Sequence, residues 1–403
     1  MRGRSFEVSP DQYIRLFKPA DIIQTAQEVY QYVQEGHGFF EMNEHRLPEV
    51  IERVIQTTRQ RYPDLNIPFH ACWRHFQIGV LDRQGALEEG LQGLSERQKL
   101  KAKVDLTFVA ALLGAGAGPE WQYYEPKTGH LYSRSEGLAV STLNMFMSGL
   151  FSSDPEDPLR VDGLALVRMT KERLAQGFQS TVGNQILALE YRLRLLQNLG
   201  RVLEKSERFS GKPSRPSHLL DSLHLFEQQT VALDDLFEVI CFELRSVWQT
   251  EVLVNEEGVG DVWYHDDLDL LVPFHMFAHW VTFSLIEPLV GHGIKVENMN
   301  SLAGLAEYRN GGLLIDTGLL RPKDPAGLSK PQKLSSALVV EWRALTLVYL
   351  RRIADQIRSH LGGHLSDSQI IEGGTWWAGR NLAYQVRTKG HSPIDIVSDG
   401  RNL

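Results

Sequence analysis

Apolar side chains recur at spacings of three and four residues along most of this chain, and this helical periodicity constrains the fold more than any other feature. The segments that carry it are 21–30, 48–61, 101–113, 163–177 and 184–199, and Gly200 is expected to stop the last of these helices. The alternation typical of strands is scarce, with its best case at 251–254. The pattern therefore predicts a mainly α fold.

A polar segment rich in proline and glycine, residues 206–217, is the clearest interruption of the helical pattern. We interpret it as a linker between an N-terminal helical lobe, 1–205, and a C-terminal helical lobe, 218–403. We expect the two lobes to share one cleft. A length of 403 residues also allows a single continuous domain.

Charge and apolar patterning exclude several classes of protein. The net charge of −8 argues against a general binder of nucleic acid or of anionic membranes. The most apolar stretch, 270–290, is interrupted by His275, His279 and Glu287 and does not read as a membrane span. Cys72 and Cys241 are too few for a disulfide framework, and no signal-peptide core follows the charged first residues. We therefore expect a soluble, cytoplasmic protein with a small-molecule partner, and the oligomeric state stays open.

Several segments combine polar side chains with tryptophan, tyrosine and glycine, as pockets for polar ligands do. Each one alone fits a helix cap or a buried ion pair better, but together they favour a ligand site. These segments are 68–76, 132–137, 151–154, 260–267, 306–312, 341–343 and 372–376.

Three of the more familiar site patterns are weak in this sequence. His275 and His279 lie four residues apart, with Glu287 two turns further on, as ligands on one helix face would. Met276 stands where zinc hydrolases carry glutamate, so core or pocket histidines are the better interpretation. The glycines of 114–119 follow a helix rather than a strand, so they suit a helix end better than a phosphate-binding loop. For Cys72, which lies beside His70 and His75, a buried thiol is favoured over a nucleophile.

Glu307 is the most informative carboxylate. It stands where an apolar run ends and is followed by Tyr308, Arg309 and two glycines. An ionised carboxylate in that setting suits a site that faces a developing positive charge. Pairing with Arg309 or capping of a helix explains the pattern equally well.

The same segments resemble the family of the fourth protein of the URC uracil-catabolism pathway, in the same order from about residue 62 to residue 399. Family members tend to end in Ser-Asp-Gly-Thr-Val-Phe, whereas Gly400 here is followed by Arg401-Asn402-Leu403. The motifs that carry the resemblance are 67–70, 73–76, 114–119, 133–137, 149–155, 260–263, 271–275, 307–312, 340–345 and 372–376.

A more distant resemblance links 274–289, 306–309 and 340–343 to the queuosine-salvage nucleotide glycosidases. It implies a helical architecture like that of DNA glycosylases in the C-terminal half. It also implies hydrolysis of a ribosyl N-glycosidic bond, with Glu307 at the position of the catalytic acidic residue. That residue is aspartate in those enzymes, and they carry lysine where this chain has Met276.

Together the resemblances imply a hydrolase that releases urea from ribosylurea, with or without a 5′-phosphate, and that needs no metal or organic cofactor. Glu307 would stabilise the oxocarbenium-like transition state and activate water. The general acid is left open among His265, Asp266 and His275. The expected substrate-binding residues are Arg74, His75, Ser153, Asp154, Trp263, Tyr308, Arg309, Glu341, Trp342, Arg343 and Trp376.

Two alternatives from other classes remain. One is a metal-dependent amidohydrolase or deaminase that acts on an opened pyrimidine through His275, His279 and Glu287. The other is a non-catalytic scaffold that brings pathway enzymes together.

Overall fold

A computed structural model describes residues 4–114, 116–248, 250–302 and 304–397, and over these residues the chain is mainly α-helical, as the periodicity predicts. The helices are α1 Pro10–Arg15, α2 Pro19–Gln34, α3 Leu47–Arg61, α4 Arg83–Gly90, α5 Glu96–Leu113, α6 Arg134–Met147, α7 Gly163–Val167, α8 Lys171–Gly177, α9 Leu189–Lys205, α10 Leu219–Ser222, α11 Leu225–Gln228, α12 Leu233–Leu244, α13 Met276–Gly291, α14 Tyr308–Asp316, α15 Ala337–Leu361, α16 Asp367–Ile370 and α17 Trp376–Val386.

The strands are short and form small separate sheets. β6 pairs in parallel with β1 and antiparallel with β7, and β10 pairs in parallel with β5. The other pairs, β2–β11, β3–β4 and β8–β9, are antiparallel. The strands are β1 Arg4–Phe6, β2 Phe40–Met42, β3 Gln122–Glu125, β4 His130–Ser133, β5 Thr230–Ala232, β6 Val252–Val254, β7 Glu257–Gly258, β8 Val262–His265, β9 Leu270–Pro273, β10 Lys295–Glu297 and β11 Leu320–Pro322. The strand expected at 251–254 is confirmed as β6.

The core is built around two long helices, α13, which is apolar on nearly every side, and α15, whose N-terminal half is almost fully buried. α13 packs between α5 and α12, and α15 packs against α2 and α14. A helix with no polar face must be covered all round, and in α13 nearly every side chain is buried. These two helices fix the positions of the segments that approach them from both halves of the chain.

Four of the five helices expected from periodicity form close to the expected places, and the region 163–177 is broken into α7 and α8. The expected stop at Gly200 is wrong, because α9 continues to Lys205. A Cβ at position 200 would lie 2.8 Å from the carbonyl oxygen of Gly163, so glycine lets α7 pack tightly against α9. The pattern marked a close helix contact rather than a helix end.

Chain segments from the two halves are interleaved. β1 and β2 pair with β6 and β11, and α2 packs along α15. The segment 206–217 is itself packed, with Phe209 fully buried and the Ser217 N–H donating to Asp105 at 2.8 Å. The division into two lobes stays a prediction.

Within the described residues, none of the helices combines the length and apolar character that crossing a membrane requires. The divergent end Arg401-Asn402-Leu403 lies outside the described residues.

Candidate functional site

A cavity of about 120 Å³ lies where six separate stretches of the chain meet. Of the residues expected to bind substrate or to catalyse, it brings together His75, Glu307, Tyr308 and Trp376. Its walls are His70, His75, Ala111, Gly114, Ser135, Met276, Phe277, Trp280, Leu305, Glu307, Tyr308 and Trp376. We call it the Glu307 cavity.

Glu307 is half-buried at the N-terminus of α14, where it caps the helix. Its two carboxylate oxygens accept the backbone N–H groups of Arg309, at 2.8 Å, and Asn310, at 2.6 Å. Burial raises the pKa of Glu307, and these two hydrogen bonds and the nearby His70 oppose that rise. The cap fixes the direction of the carboxylate toward the cavity while leaving lone pairs for a further donor.

A second carboxylate supports a histidine on the wall of the same cavity. His70 Nδ1 lies 2.6 Å from Glu372 Oε2, and each side chain is only 7% exposed. Burial alone would raise the pKa of Glu372, but the hydrogen bond to His70 and the charges around it lower the pKa below its ordinary value. Glu372 therefore holds the His70 ring in place through Nδ1, which leaves Nε2 for a ligand.

The two members of this pair come from irregular backbone. His70 precedes the 3-10 turn Cys72–Gln77, and its N–H donates to Ser368 Oγ at 2.8 Å. Glu372 lies in the π-helical turn Ile371–Thr375, which joins α16 to α17. Single π-helical turns often occur at functional sites because they re-aim side chains.

Aromatic rings form the other walls. The Trp280 ring contacts His70 with ring centres 5.1 Å apart, and the Trp376 ring lies 5.8 Å from His70. Burial lowers the pKa of the half-buried His75 ring and so disfavours its charged form. Flat apolar faces beside a carboxylate suit a sugar ring, which has apolar faces and polar edges.

Asp261 anchors the helix that supplies Met276, Phe277 and Trp280 to the cavity. Its carboxylate binds both terminal nitrogens of Arg343, at 2.8 and 2.6 Å, and the Trp263 Nε1–H at 2.7 Å. It also accepts the Met276 N–H at 3.1 Å and so caps the first turn of α13. Although burial opposes ionisation, the Arg343 guanidinium holds the pKa of Asp261 well below its usual range.

Arg343 and Trp263 therefore already have a partner. They line a smaller neighbouring cavity of about 50 Å³, which shares Met276 and Phe277 with the Glu307 cavity. A substrate anion bound by Arg343 would compete with Asp261 for the guanidinium.

The three residues considered as general acids lie outside the Glu307 cavity. His265 is fully buried, with Nε2 3.3 Å from Oε1 of the equally buried Glu341. Asp266 is 64% exposed and pairs with Arg4 at 2.6 Å. His275 Nε2 donates to the Leu16 carbonyl at 2.9 Å, and burial lowers its pKa to about 4.

The other expected binding residues have structural partners. Arg74 pairs with Glu287, and the Ser153 hydroxyl donates to Asp162 at 2.9 Å. The Asp154 carboxylate accepts the Glu156 N–H in its own turn, at 3.0 Å. Trp342 Nε1 donates to the Gly311 carbonyl at 3.0 Å and packs α15 on α14. None of these residues lines the Glu307 cavity, and their role in substrate binding stays a prediction.

The residues of the metal alternative are also engaged. His275 donates to Leu16, His279 Nδ1 donates to the His275 carbonyl at 3.1 Å, and Glu287 binds Arg74. Burial lowers the pKa of His279 to about 4. Across the part of the chain that the structure describes, no three His, Cys, Asp or Glu side chains come close enough together to hold a metal ion.

Sequence reasoning missed His70, Trp280 and Glu372 as site residues. His70 and Glu372 are 302 positions apart, so no local pattern could pair them. Their motifs, 68–76 and 372–376, were both recognised as polar, aromatic and glycine-bearing segments. A histidine and an acidic residue in two such segments were the available signal.

Comparison with known proteins places the chain in a family. A model of the family described as "Protein of unknown function (DUF1688)" matches residues 15–402. "Protein urg3" of Schizosaccharomyces pombe is 34% identical over 404 residues, which cover 98% of this chain and 99% of that protein. "Uracil catabolism protein 4" of Lachancea kluyveri is 32% identical over 436 residues, covering 97% of this chain and 99% of that protein. The resemblance to the URC family is thereby confirmed, and the chain belongs to the DUF1688 family together with these two relatives.

Proposed function

We propose that this protein is an N-glycosidase of uracil catabolism that hydrolyses ribosylurea to urea and ribose. The name of the Lachancea kluyveri relative supports the pathway. The reaction is supported above all by one observation, the capped Glu307 carboxylate that shares a small aromatic cavity with the His70–Glu372 pair.

Glu307 would act on the sugar side of the scissile bond. As the C1′–N bond lengthens, positive charge develops on C1′ and the ring oxygen, and a nearby carboxylate stabilises it. The same carboxylate accepts a proton from the attacking water, whose oxygen forms the new bond to C1′. Two backbone N–H donors keep the carboxylate from rotating away, so its placement costs little during the reaction.

His70 would act on the urea side. The ureido nitrogen is a poor leaving group, so it must gain a proton as the bond breaks. In its protonated form the His70 ring would supply that proton from Nε2 while Nδ1 stays bonded to Glu372. Urea then leaves neutral, Glu307 holds the proton taken from water, and solvent exchange returns both groups to their starting states.

The aromatic walls would position the ribose. Trp280, Trp376 and Tyr308 offer ring faces around the cavity, and their bulk displaces water from around the developing charge. A volume of about 120 Å³ fits a compact ligand such as a pentose better than a stacked nucleobase with its sugar.

The experiment is a comparison of urea and reducing-sugar release from synthetic ribosylurea and from its 5′-phosphate. Wild type, Glu307→Gln and Glu372→Gln are assayed beside the control Glu35→Gln, whose side chain is exposed at the end of α2. Removal of a general base typically costs 10²–10⁴-fold in rate, so about that loss is expected for Glu307→Gln. Glu372→Gln, which leaves His70 without its carboxylate partner, should also lose activity, and the control should lose none.

Release of urea by wild type and the control alone would establish the glycosidase. If folded wild type releases urea from neither compound, with or without added metal, the proposal is wrong. If metal is required, and chelation abolishes release, the amidohydrolase alternative gains instead. If Glu307→Gln supports growth on uracil as well as wild type does, the scaffold alternative gains.

A further inference from the structure

A larger cavity of about 590 Å³ opens beside the Glu307 cavity, and Ser135 and Tyr308 line both. Three cationic side chains, Arg134, Arg309 and Lys389, line this larger cavity. We call it the basic pocket. The chain as a whole carries a net charge of −8, so this concentration of positive charge is local.

Arg309 is the most unusual of the three cations, because it is only 6% exposed and forms no ion pair with any described carboxylate. Its Nη1 donates to the Gly390 carbonyl at 2.8 Å, and its Nε is buried without a hydrogen-bond partner among the described residues. The guanidinium lies over the Tyr308 ring, 4.6 Å from its centre. A buried charge without a counterion is costly, and an anion in the adjoining cavity would offset that cost.

Arg134 and Lys389 frame the open side of the basic pocket. The Arg134 guanidinium is positioned by the Tyr384 hydroxyl, at 2.5 Å, and by the Lys389 carbonyl, at 3.5 Å. Both residues are exposed and, within the described ranges, neither has a carboxylate partner. Among the described residues that line the pocket, Asp395 is the one carboxylate, and against three cations it leaves an excess of positive charge.

The two cavities are adjacent through a short stretch of chain. Glu307, Tyr308 and Arg309 are consecutive, and the Glu307 carboxylate binds the Arg309 N–H itself. The side chains diverge, so that Glu307 faces one cavity, Arg309 lines the other, and Tyr308 lies between them. A ligand with its reacting carbon at Glu307 and an anionic group one sugar ring away would occupy both.

We propose that the basic pocket binds the 5′-phosphate of the substrate, so that the enzyme acts on ribosylurea 5′-phosphate rather than on the free nucleoside analogue. This inference rests on the proposed function. Guanidinium groups bind phosphate oxygens in pairs of hydrogen bonds, and a phosphomonoester carries close to two negative charges at pH 7. The upstream reaction must therefore open the uracil ring at the level of the nucleotide.

The test uses two exposed residues, because Arg309 holds Gly390 and packs on Tyr308, and its removal can prevent folding. Arg134→Gln, Lys389→Gln and the double variant are compared with Arg59→Gln and Lys127→Gln, which remove exposed cations that do not line the pocket. Calorimetry measures the binding of ribose 5-phosphate, ribose and inorganic phosphate. The assay of urea release measures kcat/KM on both substrates.

Wild type and the two controls are expected to bind ribose 5-phosphate and to bind ribose much more weakly. Each pocket variant should lose roughly tenfold in affinity for ribose 5-phosphate, as loss of one charged hydrogen bond typically causes. The preference in kcat/KM for the phosphorylated substrate should fall by a similar factor. Equal binding of ribose 5-phosphate by all variants, or equal kcat/KM of wild type on the two substrates, would overturn the inference.

These experiments distinguish a failure of the phosphate-site inference from a failure of the proposed glycosidase reaction. If wild type binds ribose 5-phosphate through Arg134 and Lys389 but releases no urea, the phosphate site stands and the reaction is wrong. If urea is released from both substrates without preference, the reaction stands and the phosphate site is wrong.

Discussion

Asp261→Asn is expected to be among the most damaging single changes to the site, although Asp261 touches no substrate in the proposed reaction. The carboxylate binds Arg343 through both oxygens and also caps α13 at Met276. An asparagine would turn an NH₂ group toward one of the Arg343 nitrogens, so two donors would face each other. Arg343, whose side chain is 3% exposed, would then be a buried charge without a counterion.

The expected loss of folding free energy follows from how deeply the Asp261–Arg343 pair is buried. Loss of one partner of a buried ion pair costs about 3–5 kcal/mol, and the 26% exposure of Asp261 places the expected loss near 3 kcal/mol. Asp266→Asn is the matched control. Its pair with Arg4 is 64% and 57% exposed, and such pairs contribute about 0–1 kcal/mol.

The assay is urea-induced unfolding followed by tryptophan fluorescence, repeated across pH. Because the folded-state pKa of Asp261 is depressed, its contribution to stability is complete above the unfolded pKa of about 3.9 and is lost as the pH falls further. The difference between wild type and Asp261→Asn should therefore begin to shrink below about pH 4. Equal losses for the two variants at pH 7 would refute this account of the Asp261–Arg343 pair.

Two further predictions concern the Glu307 cavity. Because burial raises the pKa of Glu307 and the carboxylate must be ionised, kcat/KM should fall as the pH is lowered through a value above the ordinary 4.5; a profile that stays flat down to pH 4.5 would contradict this. Gly379→Ala should cost at least about 1–3 kcal/mol and reduce activity, because its Cβ would lie 2.1 Å from the Arg309 carbonyl oxygen and push α17 away from α14. Gly363→Ala, with nothing within 4 Å of its Cβ, is the control for both thermal stability and urea release.

The sequence determined the secondary structure of this protein to a large extent. The helical periodicity of 48–61 and 101–113 corresponds to α3 and α5, because a side-chain pattern along one helix is a local property. Gly200 could not be interpreted in the same way. Whether a glycine ends a helix or admits a neighbouring helix depends on what packs against it, and in this fold α7 does.

The candidate site, like the fold, could be predicted from the sequence only in part. A helix cap at Glu307 was one of the interpretations that the sequence left open, because a cap depends on consecutive residues, and the structure shows that cap. The partner for that carboxylate was decided by tertiary structure. His70 and Glu372 meet across 302 positions, while His265 and His275, equally good candidates in the sequence, are buried elsewhere against Glu341 and Leu16. Residue types and spacing indicate which chemistry a chain can carry, and only long-range packing brings particular side chains together around one cavity.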